Sequence, residues 1–348
     1  MRHLTNKYKL SKFIMSKTYS INITDPTYGA VGDGNTDDKT HIQDALNASW
    51  SNGYVVEIPE GTFLISDKLE IKQGTILKGA GKDKSIILCE KGGFYATGTS
   101  TISASAITIE NLQLKGKSGQ SANSIGIDID GGPENASFIK INSVLVKDFT
   151  GDGIRLTRPM MNELTGVTVR GSTGNGFSII GDGTSTTLKN CYSHENGGYG
   201  YYWTNVHYSS LINCASDYNT LGGYSFYIGS GKSIYDIALY SCGAENNDGP
   251  QFHFERMKGL TLNSLYINSL NSTNSKNLIH MRGCVEALIS ACYINSNPPS
   301  GYYSLLIDDL DGTIPPYSTI IGSRFTSPTL INQSGSVQYI NSTIPPYT

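Results

Sequence analysis

Carboxylates and histidines recur in the second half of the chain, and these side chains most often carry acid and base chemistry. Glycoside hydrolysis needs two carboxyl groups, one protonated to donate to the leaving oxygen and one ionised to act on water or on the sugar carbon. The sequence predicts a hydrolytic site in which three acids come first and two residues assist: Glu245, Asp248 and Glu255, with Asp217 and His253.

A second chemistry fits the same region. β-Elimination on a uronate needs a cation beside the carboxylate and a base for the adjacent proton. Arg282 can supply the cation, and His280, His253 or Tyr227 the base. A polysaccharide lyase is therefore the rival to a hydrolase.

Substrate binding is predicted at aromatic and polar positions around these acids. Flat aromatic faces suit sugar rings, and polar side chains orient them; the candidates are Tyr202, Tyr227, His194, Glu195, His280 and Arg282. The alternative is that these charged side chains form only a solvated surface, because every outward position of a protein needs a polar residue. No metal-ligand cluster is found, so no metal and no cofactor are expected.

The positions of these residues are set by an internal repeat. The stretch L-K-N-C-Y-S-H-E-N-G-G-Y-G-Y-Y-W from Leu188 recurs from Leu211 as L-I-N-C-A-S-D-Y-N-T-L-G-G-Y-S-F. Six reference positions are separated by 23, 24, 23, 28 and 23 residues: Ser143, Gly166, Asn190, Asn213, Ser241 and Ser264. A period of this size is typical of a solenoid.

Within each repeat, apolar residues alternate with polar ones between Asn and Gly, which predicts short strands and no helical stripe. Such a unit buries its inward side chains only by stacking on its neighbours, so we predict an all-β parallel β-helix. Cys191, Cys214 and Cys242 are expected to stack inward as free thiols, with Cys292 continuing the column. Corner residues Asn196, Asn219 and Asn247 are expected to be structural and left-handed.

Stacking in register also predicts which outward residues become vertical neighbours. With strands about 4.8 Å apart, one column contains Lys147, Arg170, His194, Asp217, Glu245 and Asn268. On the next strand, Tyr202, Ser225, His253 and His280 form a second column, beside Thr204, Tyr227, Glu255, Arg282 and Asp308. Trp203 falls at an inward position.

Composition excludes several classes of function. The 348 residues include 26 basic and 29 acidic ones, for a net charge of −3, which predicts no binding to nucleic acid or to an anionic membrane. No stretch is long and apolar enough to span a bilayer. The six cysteines lack metal or disulfide-framework spacing. The basic N-terminus has no signal-peptide core, so an extracellular or virion location implies another export route.

The first quarter of the chain carries the most specific motifs. Y-G-A-V-G-D-G-N-T-D-D from Tyr28 is followed by I-Q-D-A-L, I-P-E-G-T-F and L-K-G-A-G. Thr36, Asp37 or Asp38 can cap a helix whose inner face is Ile42, Ala45 and Leu46. These motifs resemble the N-terminal signature of the pectate-lyase-like superfamily, in the branch of phage tailspikes and bacterial polysaccharide-degrading proteins.

This resemblance implies a single-stranded right-handed β-helix with a short N-terminal capping helix and a polysaccharide groove on an outer face. Polygalacturonases of the superfamily place paired aspartates in the turn before the groove strand, where this chain has only Asp248 before Gly249. Tailspike relatives are commonly trimers, so a homotrimer is expected. Since hydrolases, lyases and binders share the fold, a non-catalytic glycan-binding spike remains an alternative.

The predicted organisation is one elongated domain. Residues 1–18 are expected to form a flexible extension, with Met15 as an alternative start, and 19–310 the β-helix, its N-terminal cap at about 19–60. Residues 311–348, where T-I-P-P-Y occurs twice, are expected to cap the other end. Longer turns after Lys117, Ser272 and Pro298 are expected to wall the groove.

Overall fold

The computed structural model describes residues 19–228, 233–269, 276–298, 301–308, 318–326, 329–332 and 337–343. Within these ranges the chain forms one helix, α1 (Lys39–Asn52), and short strands. The strands are β1 (Ser20–Asn22), β2 (Asp33–Asp37), β3 (Val55–Ile58), β4 (Gly61–Ile65), β5 (Leu69–Glu70), β6 (Ile76–Gly79), β7 (Ser85–Cys89), β8 (Phe94–Thr97), β9 (Thr108–Glu110), β10 (Gln113–Gly116), β11 (Ile127–Asp130), β12 (Ala136–Ser137), β13 (Lys140–Asn142), β14 (Leu145–Lys147), β15 (Ile154–Thr157), β16 (Pro159–Thr165), β17 (Thr168–Arg170), β18 (Phe177–Lys189), β19 (Tyr192–His194), β20 (Tyr199–His207), β21 (Ser209–Ile212), β22 (Ala215–Asp217), β23 (Gly222–Tyr227), β24 (Ile234–Tyr240), β25 (Gly243–Glu245), β26 (Phe252–Glu255), β27 (Met257–Asn263), β28 (Tyr266–Ser269), β29 (Ile279–Arg282), β30 (Ala287–Ser290), β31 (Tyr293–Ser296), β32 (Leu305–Asp308), β33 (Ser318–Ile321), β34 (Arg324–Phe325), β35 (Thr329–Asn332) and β36 (Val337–Ile340).

These strands pair in parallel along three faces of a solenoid, which confirms the predicted parallel β-helix. The first face is a twelve-stranded sheet that runs from β2 through β19, β22 and β25 to β34. The second face runs from β5 through β20, β23, β26 and β29 to β35. The third face runs from β1 through β21, β24 and β27 to β36.

The core is the stack of inward side chains from successive coils. Leu188 pairs with Leu211 and Tyr201 with Tyr224, the register that the repeat predicts. Trp203 is fully buried and its ring lies 5.6 Å from that of Phe226, so its predicted inward position is confirmed. Backbone pairing sets the spacing of successive coils, and its register determines which outward residues lie above one another.

The corner between the first and second faces differs from the prediction in its backbone. The left-handed residues there are Glu195, Tyr218 and Asn246, each one place before the asparagine that was expected to be left-handed. The asparagines are buried and hydrogen-bond along the stack: Asn196 Nδ2 donates to Asn219 Oδ1 and Asn219 Nδ2 to Asn247 Oδ1, each at 2.8 Å. A buried amide is satisfied by its equivalents on neighbouring coils, so the asparagines turn inward.

The cysteines are buried parts of the core. All six are free and buried, and Cys191, Cys214 and Cys242 occupy successive coils. Leu265 follows Cys242 in this column before Cys292 continues it. Burial raises the pKa of the Cys292 thiol to about 11 and that of the Cys284 thiol to about 12, so neither thiolate forms near neutral pH.

Helix α1 packs against β1, β3 and β5, and it buries Ile42, Ala45, Leu46 and Ser49, which confirms the predicted inner face. Asp38 precedes the helix, but its carboxylate accepts hydrogen bonds from the backbone of Val31 and Gly32 at 2.7 and 3.0 Å. Asp38 therefore holds the loop, whereas Asp37 Oδ1 accepts from the backbone N–H of Lys39, the first residue of α1, at 3.1 Å.

Parallel pairing continues beyond residue 310, where a separate cap was predicted. β33 pairs with β30, and β36 pairs with β33, in the register of the earlier coils. Several predicted segments lie outside the described residues. They are the extension 1–18, parts of 311–348 including residues 313–317, and, at the turns predicted after Ser272 and Pro298, residues 270–275 and 299–300.

In the described ranges, no helix has the length and apolar character that a membrane span requires.

Candidate functional site

Titratable side chains meet on the second face at strands β26, β29 and β32. His253 pairs with His280, and Glu255 pairs with Arg282, which pairs in turn with Asp308. The two imidazole centroids are 5.3 Å apart. We call these five residues the histidine cluster. They were predicted to form two adjacent columns, one with His253 and His280 and the other with Glu255, Arg282 and Asp308, because successive coils stack in register.

The electrostatics of the histidine cluster differ between its two rings. His280 Nε2 lies 3.1 and 3.2 Å from the two carboxylate oxygens of Asp308, which orients the ring. Burial lowers the pKa of His253 to about 4, with His280 and Arg282 adding to the effect. His253 is therefore neutral at pH 7, when its imidazole can accept a proton.

Glu255 is held by arginines at the edge of the cluster. The residue is only 6% exposed, and its carboxylate oxygens lie 3.3 Å from Arg256 Nη1 and 3.9 Å from Arg282 Nη1. Arg256 was missed from the sequence because it occupies a left-handed corner, outside the strand alternation that identified the other residues. Arg256 and Arg282, both paired with Glu255, thus lie on the same surface of the solenoid as the neutral imidazole of His253.

A second group lies on the first face. His194, Asp217 and Glu245 pair on successive strands, as predicted. Asp217 accepts hydrogen bonds from Tyr192 Oη at 3.3 Å and Asn246 Nδ2 at 3.5 Å. Burial raises the pKa of Asp217.

His194 occupies the edge of this group. Its Nδ1 lies 3.4 Å from the Glu195 carboxylate, and Tyr192 stacks on its ring at 4.5 Å. Burial lowers the pKa of His194. We call Tyr192, His194, Asp217 and Glu245 the acidic cluster.

The five predicted catalytic residues do not form one group. Asp217 and Glu245 are neighbours on the first face, whereas His253 and Glu255 belong to the second. Asp248 is exposed in the turn between these faces, and its backbone N–H donates to Asn219 O at 2.9 Å. The Asn247 corner separates Glu245 from Glu255, since each points outward from a different sheet.

The predicted aromatic positions belong to the second face. Tyr202 pairs with Ser225, which pairs with His253, so Tyr202 lies two coils from the histidine cluster. Its ring stacks on Tyr199 at 5.8 Å, and burial raises its pKa. Tyr227 is 40% exposed in the neighbouring column. These rings extend the surface of the histidine cluster along the solenoid.

Among the residues that the structure describes, no group of three histidine, cysteine or acidic side chains is arranged to hold a metal ion.

Comparison with known proteins identifies a family for the larger part of the chain. Residues 20–244 match the model of the family described as rhamnogalacturonase A/epimerase, pectate lyase-like. The match ends before His253, so the histidine cluster lies outside it.

The pre-neck appendage protein of Bacillus phage B103 is 28% identical, over 54% of this chain and 22% of the relative. The chain therefore corresponds to less than a quarter of that protein's length.

Two solved structures share the fold at low identity. The A-module of mannuronan C-5 epimerase AlgE4 from Azotobacter vinelandii has a TM-score of 0.73 and 19% identity, covering 94% of this chain and 97% of that one. PfbA, a surface adhesin of Streptococcus pneumoniae, has a TM-score of 0.69 and 14% identity, covering 93% and 91%. The fold thus occurs in an enzyme and in an adhesin.

Proposed function

The chain belongs to the rhamnogalacturonase A/epimerase, pectate lyase-like family, and on that premise we propose that it binds and cleaves a polysaccharide. The histidine cluster lies outside the family match, so its geometry alone supports it as the site of cleavage. The relationship to a phage appendage protein supports a virion-associated, spike-like setting. A homotrimer remains part of this proposal, and light scattering on the purified chain tests it.

The observation that carries the proposal is the pair of adjacent imidazoles beside two arginines. His253 is neutral at pH 7 because burial lowers its pKa to about 4. The Arg282 side chain is 46% exposed, so it can contact a substrate carboxylate. A neutral base beside a cation is the arrangement that proton removal next to a carboxylate requires.

The reaction that fits this arrangement is β-elimination on a uronate. His253 takes the proton from the carbon that bears the carboxylate, while Arg282 stabilises the negative charge that develops on the carboxylate. The electron pair forms a carbon–carbon double bond as the glycosidic C–O bond breaks. His280, oriented by Asp308, donates a proton to the leaving oxygen. The products are an unsaturated uronate and a new sugar hydroxyl.

Glycoside hydrolysis is the second candidate, and it is favoured by the acidic cluster. Asp217 and Glu245 pair on adjacent strands, about 5 Å apart at the usual strand spacing, a separation typical of retaining glycosidases. Burial raises the pKa of Asp217, as a general acid requires, and Glu245 would act as the nucleophile.

The products distinguish these functions. Incubation with uronate polysaccharides and with neutral ones should yield the ultraviolet absorbance of an unsaturated uronate only from the former. New reducing ends without that absorbance would indicate hydrolysis. Retention on a glycan with neither product would leave the chain as a binding spike.

A further inference from the structure

A gap in an aromatic column lies beside the acidic cluster on the first face. Along this column Tyr192 is followed by Ala215, Gly243, Tyr266 and Tyr293 on successive strands. Tyr192 and Tyr266 are three strands apart, roughly 14 Å at the usual strand spacing. Only a methyl group and a hydrogen fill the column between them.

The walls of this gap are suited to a sugar ring. Tyr266 is 43% exposed and stacks on Tyr293 at 5.9 Å, on the side away from Gly243. A Cβ atom on Gly243 would meet no heavy atom nearer than Tyr266 O at 3.9 Å, so the space above it is open. The Tyr266 ring, at one end of an open floor of small residues, can contact the apolar face of a pyranose. The Tyr192 ring at the other end stacks on His194, and its hydroxyl donates to Asp217.

The polar flank of the gap determines which sugar fits. Asp217, Glu245 and Asn268 form the neighbouring column, and their oxygens accept hydrogen bonds from sugar hydroxyls. Arg170 is the nearest cation of that column, one strand beyond His194. Two carboxylates disfavour an anionic ligand, unlike the arginines of the second face.

We propose that this gap is a second carbohydrate-binding site, and that it takes an uncharged or amino-bearing pyranose unit rather than a uronate. The chain would then contact a mixed polysaccharide on two faces, at sites of opposite charge preference. The inference shares residues with the hydrolytic candidate but concerns binding alone, and it does not depend on cleavage at either face.

The test is calorimetric titration of the full chain with cellotetraose, maltotetraose, a glucosamine tetramer and tetragalacturonate. Gly243→Tyr should fill the gap without strain, since the φ of Gly243 lies outside the left-handed region. We expect Gly243→Tyr and Tyr266→Ala to bind the uncharged or amino tetramers about tenfold more weakly or not at all.

Thr168→Tyr is the matched control, because it adds the same ring to the same column on the far side of Tyr192; its affinity should remain that of the wild type. His253→Gln should also leave this binding unchanged, which separates the inference from the elimination chemistry. Unchanged binding in Gly243→Tyr would overturn the inference, as would no binding of the three uncharged or amino tetramers. Loss of tetragalacturonate binding in Gly243→Tyr would also overturn it.

Discussion

At the scale of single residues, the central feature is an imidazole kept neutral by its surroundings. Burial lowers the pKa of His253 to about 4, and the neighbouring His280 and Arg282 add to the effect. The sequence predicted that His253 and His280 would be adjacent, because both occupy the same place in the repeat. The sequence did not predict the contact of Arg256 with Glu255, because it depends on the geometry of the corner. The contact of Tyr192 with Asp217 was not predicted either, because it depends on the orientation of the ring.

The His253 pKa makes stability depend on pH. As pH falls from about 6.5 to about 4, the unfolded chain takes up a proton at this residue and the folded chain does not, so stability is lost over this window. At about pH 4, the loss in the free energy of unfolding from this residue reaches roughly 3 kcal/mol. Urea unfolding at several pH values should show a weaker pH dependence in His253→Gln. An identical dependence in the two proteins would contradict the assigned burial.

Glu255 is predicted to stabilise the fold, because its carboxylate is buried between Arg256 and Arg282. Glu255→Gln should lower the free energy of unfolding by about 2 kcal/mol, since it removes a buried charged partner. Glu195→Gln is the control: its carboxylate is 62% exposed, and the change should cost at most about 0.5 kcal/mol. Equal effects in denaturant unfolding would exclude this role.

At the scale of elements, the corner between the first and second faces determines how the two clusters diverge. The repeat predicted corners at Asn196, Asn219 and Asn247 but assigned them the wrong backbone conformation. The left-handed residue precedes each asparagine, because the amide side chain is needed inside to bond the next coil. Sequence alternation locates a turn, but it does not reveal which turn residue points inward.

The asparagine stack predicts a large effect for one substitution. Asn219→Ala would remove the amide that accepts from Asn196 and donates to Asn247, leaving buried polar groups without partners. We expect a loss of about 3 kcal/mol in unfolding free energy. Asn295→Ala removes a half-buried bond of 3.3 Å to Asn268 and should cost about 1 kcal/mol. A loss in Asn219→Ala no larger than in Asn295→Ala would contradict the role of the stack.

At the scale of the whole molecule, stacking in register makes distant residues neighbours. Repeat spacing alone predicted Asp217 beside Glu245 and His253 beside His280, and the pairing of strands confirms both. Spacing placed Glu245 and Glu255 on successive strands on either side of the Asn247 corner, but it did not predict the angle between those strands, so both residues were expected in one catalytic group. The candidate residues therefore separate into an acidic cluster on the first face and, on the second, a cluster in which histidines and arginines lie beside two carboxylates.

The most direct test of the central claim is product formation from a uronate polysaccharide by matched variants. The wild type should release unsaturated uronate, and His253→Gln should lower kcat/KM by a factor of about 10² or more. Asp217→Asn should retain the wild-type value, as should His207→Gln, which changes a histidine outside both clusters whose Nδ1 accepts from the Tyr235 backbone N–H at 3.1 Å. Release of unsaturated product by His253→Gln at the wild-type rate would contradict the account. So would cleavage that yields only saturated reducing ends and is lost in Asp217→Asn.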